Sequence, residues 1–123
     1  MNPSDPDEPS LRSAGSRVAG WLSDLLGELR SGLEGLYGEH LKGLYLFGSH
    51  ARGDAEPDSD VDVLVVLDEI GSYYGELDRS AELVSSLSLR YDVSISRVFL
   101  PIAEWNRSEG PFLLTVREDA VAA

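Results

Sequence analysis

Residues 46–66 read LFGSHARGDAEPDSDVDVLVV. An apolar run ends in Gly48 and Ser49, a polar loop follows, and Asp60 and Asp62 stand at the mouth of a second apolar run. Side chains alternate across a strand, so the two aspartates point to one face. Val61–Leu67 is apolar on both faces after Asp62, which predicts a strand in the middle of a sheet. Leu41–Phe47 reads as the strand before it, Gly48–Gly53 as a turn into a short helical piece, and Ala55–Ser59 as a loop punctuated by Pro57.

Outward from this stretch, Leu11–Tyr37 reads as a long helix. Val18, Leu22, Leu25, Leu26, Leu29, Leu33 and Leu36 recur at three- and four-residue steps on one face. Gly20, Gly27, Gly32 and Gly35 weaken it, and Gly38 is a stop signal. Ser72–Leu89 reads as a second helix with Leu77, Ala81, Val84 and Leu87 on its inner face. Asp92–Leu100 alternates like a third strand, Pro101–Trp105 starts a helix, and Gly110-Pro111 breaks the chain before the apolar segment Phe112–Val116. The order predicts an α/β (α+β) domain over 11–123, a small mixed β-sheet flanked by helices on one side. Residues 1–10, MNPSDPDEPS, read as a disordered acidic tail, with neither the basic start nor the apolar middle of a signal peptide.

The 123 residues suit one small domain with a modest core. There is no cysteine, which excludes disulfides, thiol nucleophiles and Cys-ligated zinc, and His40 and His50 form no metal-ligand pattern. Ten Lys and Arg against twenty-two acids give a net charge of −12, which speaks against direct nucleic-acid binding. No apolar run approaches the ~20 residues of a membrane span, so the expectation is a cytoplasmic protein without membrane contact.

Two neighbouring carboxylates repel unless a cation lies between them. Mg²⁺ typically takes one or two carboxylates plus substrate phosphates, which makes Asp60 and Asp62 candidate metal ligands. Gly48 lets backbone approach a ligand. Ser49 can cap the next turn or bond a phosphate, a helix start offers N–H groups to an anion, and Arg52 carries a fork suited to phosphate. Taken singly, Asp60 is an ordinary turn residue and Gly48-Ser49 an ordinary turn. Together, at this spacing between two apolar strands, they describe a site for a nucleoside triphosphate.

GSHARGDAEPDSDVD resembles the motif of the DNA polymerase β-like nucleotidyltransferase superfamily, above all its minimal members, through Gly48, Ser49, Arg52, Gly53, Ser59, Asp60 and Asp62. The likeness runs from about residue 15 to the end of the chain. It implies the superfamily's fold and an Mg²⁺-dependent transfer of AMP from ATP. Asp60 and Asp62 would hold the metal, and Gly48, Ser49, Arg52 and Ser59 would bind the nucleotide. The implied mechanism wants a third carboxylate on the next strand. Asp92 is the candidate, expected on a face with Ser94 and Ser96; alternatively Asp92 is a strand-entry turn residue and the acid's place is taken by Ser94. Among other residues, His50 reads as a loop residue with phosphate or acceptor contact as its functional reading. Trp21 and Trp105 read as packing residues, and Tyr73 and Tyr74 as core or interface. Arg97 faces a partner or solvent, and Leu113, Leu114 and Val116 close the core, with a partner-binding patch as the alternative.

At 123 residues the expectation is a chain without an acceptor domain of its own. The resemblance implies a small helical HEPN toxin as partner in a hetero-oligomer, with this chain as the antitoxin of a toxin–antitoxin pair. Two alternatives remain open at this stage. One is a non-catalytic module that neutralises its partner by binding. The other is a small-molecule nucleotidyltransferase of the aminoglycoside type that needs a second subunit.

Overall fold

The computed structural model describes residues 19–107 and 110–123. The acidic tail and the first part of the long helix, residues 11–18, lie outside the described residues. Helix α1 is Gly20–Tyr37, followed by a 3-10 turn at Gly38–His40, strand β1 Leu41–Phe47 and the short helix α2 Ser49–Arg52. Strand β2 is Val61–Leu67, helix α3 Tyr73–Tyr91, strand β3 Ile95–Pro101, helix α4 Ile102–Arg107, helix α5 Pro111–Asp119 and strand β4 Val121–Ala122.

The sheet order is β3-β2-β1-β4, with β1 antiparallel to β2 and to β4, and β2 parallel to β3. A two-residue hairpin cannot join parallel strands, so α3 makes the crossover from β2 to β3. Strand β2 is central, and six of its seven residues are buried; Asp62 alone is half-open.

Alternation along β2 divides the core in two. Val61, Val63, Val65 and Leu67 pack with Leu22, Leu25, Leu29 and Leu33 of α1, Val84 and Leu87 of α3, and Ile95 and Phe99 of β3. Leu64 and Val66 point the other way, onto Trp105 of α4 and Val116 of α5, with Tyr45, Phe47, Val98 and Leu100 around them. The sheet is therefore covered on both faces, which corrects the expectation of helices on one side. Tyr45 and Phe47 of β1, Leu64 and Val66 of β2, and Val98 and Leu100 of β3 required a second cover. Each fully buried Leu contributes roughly 1.5–3 kcal/mol, and the α1 face carries four of them below 3% exposure, Leu22, Leu25, Leu29 and Leu33.

Glycine does not break α1. Gly32 is where α1 and α3 meet: a Cβ there would run into the methyl groups of Leu83. Leu36, expected on the inner face, is 40% exposed. Helix α3 starts at a Ser72 cap whose hydroxyl accepts from the Gly75 N–H at 3.1 Å. Its buried stripe is Ser80, Val84 and Leu87, with Leu77 half-buried and Ala81 facing solvent, so Ser80 takes the place expected of Ala81. The reason is Arg97 of β3, which is turned inward. Its Nε donates to Ser80 Oγ at 2.7 Å and its Nη2 to the Leu77 carbonyl at 2.8 Å. Arg97 is thus held against α3 and only half-buried there.

Trp105 is buried, stacked at 4.8 Å on Tyr45 with the Arg117 guanidinium 4.1 Å above its ring. Trp21 is no core residue: it is 42% exposed and meets His50 edge-on. Tyr73 packs edge-on against Phe99 and accepts the Phe99 N–H, while Tyr74 stands in solvent. Val116 closes the second core and Leu113 borders it, but Leu114 is exposed, since α5 presents only one face to the sheet.

Candidate active site

Strand β1 ends at Phe47, whose ladder partner is Asp62. The next residue, Gly48, takes φ 81 and ψ −158, a conformation that side-chain-bearing residues rarely adopt. A Cβ on Gly48 would overlap Asp62 Oδ2, with Asp62 Cγ only 3.3 Å away. The Asp62 carboxylate therefore lies against the Gly48 backbone, and the turn and the acidic strand form one surface.

The Gly48 carbonyl accepts from Ala51 and Arg52 N–H at 3.0 Å each and so opens α2. The N–H groups of Ser49 and His50 precede these donors and have no intrahelical partner by the geometry of a helix start. Gly53, at φ 88, closes the turn by donating to the Ser49 carbonyl at 2.9 Å. Ser59 shapes the loop that delivers Asp60: its Oγ accepts the Glu56 N–H at 2.8 Å, its own N–H donates to Glu56 O at 3.0 Å, and His50 Nε2 lies 3.2 Å from its carbonyl. Arg52 reaches Asp54 at 3.3 Å and Asp119 at 2.9 Å, which ties α2 to the end of α5. Asp119 stands 67 residues from Arg52 in sequence, and no local signal pointed to it.

Burial pushes the Asp62 carboxyl above its ordinary value, and the charge of Asp60 adds to this, while His50 and Arg52 pull it back. A half-buried carboxylate with a like charge beside it gains from a hard cation. Two acidic oxygen donors on one face, against a glycine that leaves room above the backbone, fit Mg²⁺ in chemistry. They are Asp60 and Asp62.

Asp92 is not on the third strand. It closes α3 in the left-handed conformation, φ 54 and ψ 52, three residues before β3 begins at Ile95. A helix that ends on an αL residue turns the chain there, which breaks the alternation that would have put Asp92 on a face with Ser94 and Ser96. The residue level with Asp62 across the parallel ladder is Ser96. One step back, the Ser94 carbonyl accepts the Val61 N–H at 2.8 Å, which brings Ser94 level with Asp60. Among the described residues no three His, Asp or Glu side chains gather into a metal-holding cluster. Asp92 instead borders a cavity of about 400 Å³ beside the site, with Trp21, His50, Glu56, Pro57 and Tyr91 among its walls. Tyr91 is fixed there by its hydroxyl donating to Glu28.

The model of the nucleotidyltransferase domain family matches residues 26–116. A Methanocaldococcus jannaschii protein described as a protein adenylyltransferase is 33% identical over 77 residues, which is 63% of this chain and 77% of that protein. The protein adenylyltransferase MntA of Thermococcus cleftensis is 44% identical over 48 residues, 39% of this chain and 48% of that protein. Among solved structures, a toxin–antitoxin complex with AMP-PNP superposes with a TM-score of 0.53 at 23% identity, covering 76% of this chain and 68% of that one. That last likeness is one of fold. No helix among the described residues is long and apolar enough to cross a membrane.

Proposed function

The chain belongs to the nucleotidyltransferase domain family, and from that premise we propose that it transfers AMP from ATP to a protein and serves as the antitoxin of a small helical HEPN toxin. The observation that carries the chemistry is the contact of Asp62 with Gly48. It joins a phosphate-binding turn to a pair of metal-binding carboxylates in one surface. The relatives named protein adenylyltransferases support a protein as acceptor, and the toxin–antitoxin fold match supports the kind of partner.

In this reading Gly48, Ser49 and the free N–H groups at the start of α2 hold the β- and γ-phosphates. Mg²⁺ bound by Asp60 and Asp62 would neutralise triphosphate charge and polarise the α-phosphate. Ser59 and His50 fix the loop that aims Asp60, and Arg52, held by Asp119, keeps a positive charge near Asp62. The acceptor hydroxyl oxygen bonds to the α-phosphorus and gives up its proton to solvent, the bond from that phosphorus to the bridging oxygen breaks, and pyrophosphate leaves with the negative charge. In this reading the partner supplies the acceptor hydroxyl. The cytoplasm, where ATP and Mg²⁺ are supplied, is the compartment this chemistry requires.

A second reading, neutralisation by binding alone, draws on the displacement of Asp92 and the serines level with Asp60 and Asp62. Co-expression with the HEPN partner separates the two. Catalytic neutralisation predicts growth rescue by the wild type and none by the Asp60→Asn, Asp62→Asn double variant at equal abundance. Rescue by both would assign the protein to the binding class.

A further inference from the structure

Building on the nucleotidyl-transfer reading, we propose that Asp60 and Asp62 hold a single divalent cation, the one that accompanies the triphosphate, and that Ser96 occupies the place from which a second cation's ligand is missing. Paired catalytic cations lie about 3.5–4 Å apart, and carboxylates must offset their mutual repulsion. Here β2 carries one acid, Asp62, and Asp60 directly precedes it. The neighbouring strand faces them with Ser96, level with Asp62, and Ser94, level with Asp60. A neutral hydroxyl is a weak ligand for Mg²⁺ and cancels no charge.

No acid from another element fills the gap among the described residues. Asp92 caps α3 in the left-handed conformation, before β3 begins. Asp119 is committed to Arg52 at 2.9 Å.

The test counts Mn²⁺ bound to the full chain in the presence of a non-hydrolysable ATP analogue, by electron paramagnetic resonance. The expected count is one per chain for the wild type and for Asp92→Asn, and two for Ser96→Asp. Ser96 is exposed, so the substitution meets solvent rather than core, and circular dichroism verifies the fold. Two Mn²⁺ on the wild type, or a lower count in Asp92→Asn, would overturn the single-cation site. A count of one in folded Ser96→Asp would overturn Ser96 as the missing position. Should Ser96→Asp fail to fold, the wild-type and Asp92→Asn counts still decide the number of cations. No protein-bound Mn²⁺ at all would overturn the nucleotidyl-transfer reading itself, a separate failure.

Discussion

Replacing Gly48 by alanine adds one methyl group where two penalties meet. At φ 81 and ψ −158 an L-residue is strained, at about 1–3 kcal/mol. The new Cβ would also fall well under 3.0 Å from Asp62 Oδ2, whereas ordinary contact needs about 3.5 Å. The carboxylate must retreat by on the order of 1 Å, and a displacement of that size at reacting groups lowers rates about 100-fold. Gly53 supplies the control. It has φ 88 with nothing within 4 Å of its added Cβ, so Gly53→Ala carries the strain without the collision. Both variants should lower Tm by roughly 4–8 °C per kcal/mol, with Gly48→Ala the less stable. Only Gly48→Ala should lose AMP transfer, measured at a temperature where both remain folded. Equal activities for the two variants, or a Gly48→Ala protein with wild-type activity, would refute the claim that Asp62 is positioned by the Gly48 backbone.

Asp62→Asn should stabilise the free protein at pH 7 while abolishing transfer. The folded carboxyl is raised above its unfolded value by burial and by Asp60, so its contribution is present at low pH and is lost as pH rises through the folded pKa; the gain from the substitution should vanish in melts run below the ordinary carboxyl range. Ser80→Ala leaves the inward-turned Arg97 without its 2.7 Å partner and should cost about 1–3 kcal/mol in urea unfolding. Trp105→Ala empties the second core between Tyr45 and Val116, and a loss of about 3–5 kcal/mol is expected by the same assay.

What was legible in the sequence was local. The strands on either side of Gly48-Ser49 are short apolar runs bounded by turn residues, and both were found with their limits at Leu41–Phe47 and Val61–Leu67. The placement of Asp60 and Asp62 at the mouth of β2 followed from the period of a strand. Asp92 was misplaced because a left-handed cap looks, in sequence, like the first residue of an alternating strand. Ala81 was preferred to Ser80 because hydropathy ranks methyl above hydroxyl, and only the long-range bond to Arg97 reverses that order. The second helical cover was missed because α4 and α5 are short, six and nine residues; their place is decided by Leu64 and Val66, which need a partner on the far face. Asp119 was invisible for the same reason that most tertiary ion pairs are: its charge has no local pattern.

The central claim is that this surface moves AMP from ATP onto a partner protein. Its most direct test is the intact mass of the purified HEPN partner after incubation with the chain, ATP and Mg²⁺. The account predicts a mass increase of whole AMP units with the wild type and none with the Asp60→Asn, Asp62→Asn double variant. An unmodified partner in a stable complex formed equally by both versions would contradict it.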